Sequence, residues 1–130
     1  MSSSHEVSYI SPAELYALAE DLLGPRPPVR DRRLLRNAAM RPMLVVFGEE
    51  VFPDLSQKAA ALLEAVAAYH PLYDGNKRLA TAATARFLTD NGLEPTWSEG
   101  EIYRFVLDVA QKKFDVTEIA RWLAAHTRRR

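Results

Sequence analysis

Along this chain, apolar residues recur at helical spacing and almost every such stretch opens on a polar cap. Ser11, Pro12 and Glu14 precede Leu15, Leu18 and Leu22. An N-cap serine, a proline at the first helical position and a glutamate at the third form a capping box, which predicts a helix to about Gly24. The prolines of Gly24-Pro25-Arg26-Pro27-Pro28 then break it, because they lack an N–H donor and restrict the residue before them. Asp31 caps a short second helix that carries Leu34, Leu35 and Ala38 and ends near Arg41 and Pro42. From Leu44 to Phe52 the character changes. Val45, Val46 and Phe47 favour a strand, Gly48 and Glu49 a turn, and Val51 and Phe52 a returning strand. The expectation is a small hairpin or extended flap, mobile unless it packs on something.

Asp54 and Gln57 open a third helix with Leu55, Leu62, Leu63 and Val66 on one stripe, expected to end at His70 because Pro71 follows. A loop from Pro71 to Asn76 leads to a fourth helix carrying Leu79, Ala80, Ala83, Phe87 and Leu88, stopped by Asn91 and Gly92. Ser98 with Glu101, then Asp115 with Glu118, cap two more. These carry Ile102, Phe105, Val106 and Val109, and then Ile119, Leu123 and Ala124. The predicted fold class is all-α: a helical bundle with one small β excursion.

Composition narrows this picture. A length of 130 residues with 48% apolar content suits one domain with a buried core. We expect a single unit over 1–130, folded from about residue 8 to 127, with Arg128, Arg129 and Arg130 frayed. Seventeen basic and seventeen acidic residues leave no net charge, so no overall basic field recommends a nucleic-acid partner. The absence of cysteine excludes disulfides, thiolate metal sites and a cysteine nucleophile. Met1 to Glu6 lack the features of a secretory signal. The most apolar stretch, Ala59 to Tyr69, is interrupted by Glu64 and falls far short of the ~20 residues that span a bilayer. The expectation is a cytoplasmic protein without membrane contact.

The segment from His70 to Arg78, His-Pro-Leu-Tyr-Asp-Gly-Asn-Lys-Arg, stands apart from the periodic sequence around it. It places a base, a carboxylate, a glycine, an amide and two cations at a helix–loop–helix junction. Gly75 and Asn76 fall where a helix starts, so unpaired backbone N–H groups, the positive end of the dipole and Lys77 and Arg78 together suit a phosphate. Asp74 can hold Mg²⁺, which commonly takes one or two carboxylates plus substrate phosphates. His70 at the end of the preceding helix can accept a proton. The same residues also suit an ordinary turn, with His70 as a C-cap and Lys77 and Arg78 as solvated cations. Elsewhere, six arginines between Arg26 and Arg41 face only Asp31 as an acid; they read as a solvated face sooner than as an RNA site. His5 and His126 lack a second ligand at useful spacing. Trp97 and Trp122 read as core or edge anchors.

His70 to Arg78 resembles the signature of the Fic/Doc family: His-Pro-Phe, two variable residues, Gly-Asn, Gly or Lys, then Arg. The lysine form, Asn76-Lys77-Arg78, is similar to the Doc ("death on curing") branch. The likeness extends to Arg30-Asp31, Leu34-Leu35, Ala38, Arg41-Pro42, Pro53-Asp54-Leu55, Lys58-Ala59-Ala60, Phe87-Leu88 and Asn91-Gly92. It implies a Doc-like helical toxin of a toxin–antitoxin pair that uses ATP and Mg²⁺ to phosphorylate a threonine of elongation factor Tu and so blocks translation. By position, the resemblance makes His70 the general base, Asp74 the Mg²⁺ ligand, and Gly75, Asn76, Lys77 and Arg78 the phosphate holder. The flap at Val45, Val46, Phe47 and Gly48 would align the target by strand-like pairing.

Leu72 replaces the family's phenylalanine, and Thr81 stands where the adenylyltransferase branch has a second arginine. AMP transfer is thus the alternative chemistry. A catalytically inactive module that only binds an antitoxin is the alternative function. The inhibitory helix pattern of many Fic proteins, Ser or Thr, three residues, Glu, then Gly or Asn, has no match. Ser2 and Glu6 are followed by Val7, and Glu99-Gly100 is preceded at the needed spacing by Pro95. The resemblance therefore implies a separate Phd-type antitoxin, through which alone nucleic acid would be met. A groove lined by Leu15, Leu18, Leu34 and Leu35 and rimmed by arginines would take its acidic amphipathic helix.

Overall fold

In a computed structural model that describes residues 6–130, the helix starts follow the caps. His5, and Ser2 of the nearest inhibitory-type match, lie outside the described residues. Helix α1 spans Pro12–Leu23 behind Ser11, α3 spans Leu55–Ala67 behind Asp54, α5 spans Glu99–Ala110 behind Ser98 and α6 spans Val116–Ala125 behind Asp115. Each of these four has a complete capping box. Helix α2, Arg32–Met40, is capped by the Asp31 carboxylate, which accepts from the N–H groups of Arg33 and Leu34. Helix α4 spans Asn76–Asp90. A 3₁₀ turn at Arg41–Met43 and a hairpin of β1, Val45–Val46, and β2, Glu49–Glu50, join α2 to α3. A second hairpin-like pair joins β3, Leu93–Pro95, to β4, Thr127–Arg129.

The bundle is built around α3. Apart from half-buried Glu64, every residue from Lys58 to Ala68 is buried, so this helix is covered on all sides as a central helix must be. It packs against α2, α4, α5 and α6. Its alanines let those neighbours come close, while Leu62, Leu63 and Val66 supply the volume. Leu15 of α1, Leu35 of α2, Phe87 and Leu88 of α4, Phe105 of α5 and Leu123 of α6 close the core. Truncating any one of these leucines to alanine costs about 2–5 kcal/mol.

Four expectations are corrected. Helix α3 ends at Ala67, capped by Ala68, and not at His70. His70 takes a left-handed φ of 53°, which ends the helix before the proline is reached. The hairpin turn is Phe47-Gly48, one residue earlier than expected, with Val45 opposite Glu50 and Val46 opposite Glu49. Phe47 and Gly48 have φ of 51° and 78°, the pair of left-handed residues that a two-residue I′ turn requires. The arginine tail does not fray. Arg128 and Arg129 pair with Glu94 and Leu93 in the sheet, Arg128 bridges Glu94 at 2.7 Å, and the Arg130 N–H donates to Gly92 O. Finally, the four leucines do not line one groove: Leu15 is buried core, Leu18 is half-buried, Leu35 borders a cavity of about 390 Å³ between α1 and α2 with Arg32 and Arg36, and Leu34 borders a different cavity. Trp97 and Trp122 do anchor an edge: Trp122 stacks on Trp97, Phe105 and His126.

Candidate active site

The loop from Pro71 to Gly75 owes its shape to three devices. The first is a strap of extended chain. Arg30 and Asp31 donate their N–H groups to Pro71 O at 2.8 and 3.0 Å, Tyr73 N–H donates to Pro28 O at 2.7 Å, and Val29 bridges Leu72. The second is Asn76, buried to 8% exposure. Its Nδ2 donates to Leu72 O at 2.8 Å and its Oδ1 accepts from Leu72 N–H at 2.9 Å, so the amide closes the loop on itself. The third is Gly75. Its φ is 90°, and a Cβ there would stand 2.7 Å from Leu23 Cδ1. Only glycine satisfies both conditions. Leu72 is 1% exposed and anchors the loop in the core as the bulkier phenylalanine would.

These devices leave the chemistry-bearing groups at the surface. His70, Asp74, Lys77 and Arg78 are exposed. Arg30 grips the chain before the motif: its Nε donates to His70 O at 2.7 Å and one Nη to Tyr69 O at 3.0 Å. A fixed guanidinium thus holds the left-handed backbone of His70. One Nη of Arg78 donates to Leu22 O at 3.0 Å, fixing that side chain while its other donors remain. Gly75 provides no side-chain cap, so the N–H groups of the first turn of α4 point outward without intrahelical partners. Asp74 Oδ1 accepts from Gly75 N–H at 3.0 Å, which places the carboxylate at the rim of this positive cup. Burial, then the charge of Glu64, raises the Tyr69 phenol above its ordinary range, with Arg41 partly opposing.

No cluster of three metal-binding side chains occurs among the described residues. The one carboxylate beside an anion cup fits Mg²⁺ carried in by phosphates better than a metal held by protein alone.

The foot of the flap stands beside Tyr69, which directly precedes His70. Leu44 at its base and Tyr69 share the wall of a cavity of about 400 Å³ that is also lined by Leu34, Met40, Arg41 and Ala65. The Arg41 guanidinium lies 5.6 Å from the Phe52 ring and 5.8 Å from the Tyr69 ring. Met43 to Val51 are all exposed, and Phe47 at the tip is fully so.

The sequence model of the Fic/DOC family matches residues 9–88, which take in α1, the strap, the flap, α3, the loop and most of α4. The chain belongs to the Fic/DOC family. It is similar to Toxin Doc of Mycolicibacterium smegmatis, with 36% identity over 119 residues that cover 89% of this chain and 91% of the relative. Within this Fic/DOC fold, the expected residues His70, Asp74, Gly75, Asn76, Lys77 and Arg78 share one loop and one helix start, and Val45 to Gly48 form the first strand and turn of the flap. The Asn76 side chain is committed to the loop, leaving its backbone N–H for a ligand. Sequence reasoning missed the grip of Arg30 on His70, and it missed the burial of Lys58. The available signal for Lys58 was its phase: with Leu55 and Leu62 it falls on the apolar stripe of α3.

Proposed function

We propose that this protein is a Doc-like toxin that transfers the γ-phosphate of ATP to a Ser or Thr hydroxyl of a translation factor, with a threonine of elongation factor Tu as the target. The observation that carries this reading is the uncapped start of α4, fronted by Lys77 and Arg78 and set directly after His70 and Asp74. The backbone N–H groups of Asn76, Lys77 and Arg78 take the transferring phosphate, and the two cations offset its charge. His70 accepts the proton of the target hydroxyl as that oxygen bonds to the γ-phosphorus. The bond from phosphorus to the bridging oxygen breaks, and ADP leaves. Asp74, together with the phosphates, would hold Mg²⁺, which when bound would supply charge neutralisation. Such a site needs little else, because phosphoryl transfer rests on positioning and electrostatics. The exposed apolar flap, with free strand edges, offers a surface for an extended target segment.

Phosphate transfer is favoured over AMP transfer by position 81. Thr81 Oγ1 donates to Lys77 O at 3.0 Å within its own helix and brings no cation to a second phosphate. We infer also that a Phd-type antitoxin restrains the toxin from a separate chain. The open apolar cavity at Leu34, Met40 and Leu44 suits its helix better than the buried leucines of α1 and α2. Incubation with elongation factor Tu, ATP and Mg²⁺ tests the central reading. Intact-mass measurement is expected to show addition of one phosphate; addition of one adenylate, or no change, overturns it. His70→Ala is expected to cut transfer by roughly 10²–10⁴-fold without loss of fold.

A further inference from the structure

Lys58 is the one buried charged side chain among the described residues, at 1% exposure. A buried ammonium is costly unless all its donors are matched, and here they are. Nζ lies 2.7 Å from Phe52 O, 2.7 Å from Glu50 Oε1 and 3.4 Å from Pro42 O. These acceptors bracket the flap: Pro42 lies in the 3₁₀ turn before β1, Glu50 lies in β2, and Phe52 follows it. Pro42 and Phe52 are buried, whereas every residue from Met43 to Val51, Glu50 included, is exposed. The hairpin therefore has no core of its own to fix its tilt. An apolar side chain at position 58 would fill the space but would leave Phe52 O unpaired and release Glu50. The same foot reaches the residue before the motif, since the Arg41 guanidinium lies close to the rings of both Phe52 and Tyr69, at 5.6 and 5.8 Å.

We propose that Lys58 is a positioning residue whose ammonium clamps both ends of the flap and so sets where the flap holds a protein target relative to His70. The role in target binding rests on the transferase reading above; the clamp itself does not.

Lys58→Met keeps the length of the side chain and removes its charge, and Glu50→Ala removes one acceptor from the surface side. Residue-resolved amide hydrogen exchange reads the clamp through Val51 N–H, which donates to Leu44 O across the base of the hairpin at 3.0 Å. In Lys58→Met this amide is expected to exchange at least about tenfold faster, with α4 and α5 amides within about twofold of the parent. Glu50→Ala should show a smaller change, roughly threefold, at the same amide. In steady-state transfer, KM for the protein target should rise about tenfold, while KM for ATP and kcat stay within about twofold.

Unchanged Val51 exchange overturns the proposal, as does acceleration spread evenly over the bundle or a KM rise shared by ATP. Should Lys58→Met fail to fold, Glu50→Ala decides: unchanged Val51 exchange there contradicts the clamp. Should the parent transfer nothing, the functional reading has failed, and the exchange result alone judges Lys58.

Discussion

Helices α4 and α5 begin in opposite ways. The first turn of α5 carries Glu99 and Glu101, and Ser98 and Glu101 close it with reciprocal bonds of 3.1 and 2.7 Å. Acids at the positive end of the dipole and a satisfied cap are what stability alone would select. The first turn of α4 carries Lys77 and Arg78, has no acid and no side-chain cap, and starts on a left-handed glycine. Cations there oppose the dipole, and the open N–H groups gain nothing from the protein. The arrangement becomes favourable when an anion arrives. On the proposed reading one start serves folding and the other a ligand, so the two should respond differently to the same kinds of substitution.

Around these two helix starts the largest effect on stability is expected at Gly75. Gly75→Ala combines a φ of 90° with a Cβ 2.7 Å from Leu23, and should cost about 2–3 kcal/mol in chemical denaturation. Gly92→Ala sharpens this, because its φ of 82° is similar but nothing lies within 4 Å; it should cost only about 1 kcal/mol. Equal losses at the two glycines would mean that Leu23 does not confine the loop.

Next comes the cap. Ser98→Ala should lower stability by about 1 kcal/mol and leave phosphate transfer unchanged, as measured by denaturation and by initial rates. A smaller effect of opposite sign is expected at the open start. Lys77→Glu should raise stability by about 0.5 kcal/mol, because it places an acid where the dipole favours one, while transfer is lost. A simultaneous loss of stability would break the comparison, since it would show that Lys77 serves the fold.

The smallest effect is a pH dependence. The Ser98 backbone N–H and then its hydroxyl hold the Glu101 carboxyl below its ordinary 4.5, and the Ser11 N–H and hydroxyl do the same for Glu14. A depressed folded pKa contributes stability that is present above the unfolded value and lost as pH falls through the folded one. Melting curves from pH 7 downward should therefore show the gap between the parent and Glu101→Ala, which removes the carboxylate itself, holding to about pH 4.5 and narrowing below it.

The caps made the helix starts legible in sequence, because Ser11, Asp31, Asp54, Ser98 and Asp115 act on the N–H groups two or three residues onward. The motif was legible for the same reason: His70 to Arg78 are contiguous, and one turn brings them together. What distant residues decide was not legible. Arg30 reaches His70 and Tyr69 across forty positions of chain, and no local spacing encodes that contact. Leu15 and Leu35 look alike in a groove or in a core until their neighbours are placed. Arg128 to Arg130 read as a frayed tail because the strand that pairs with Thr127–Arg129, Leu93–Pro95, is only three residues long and contains a proline. The turn at Phe47-Gly48 was misplaced by one residue because a phenylalanine rarely accepts a left-handed backbone.

The central claim is that the open start of α4 is the phosphate site. Backbone amide chemical shifts, followed by NMR as a non-hydrolysable ATP analogue with Mg²⁺ is added, test it directly. The largest shifts are expected at Asn76, Lys77 and Arg78, with Glu99, Gly100 and Glu101 at the capped start of α5 unmoved. Saturable shifts centred on another helix start, or none in the first turn of α4, would contradict the account.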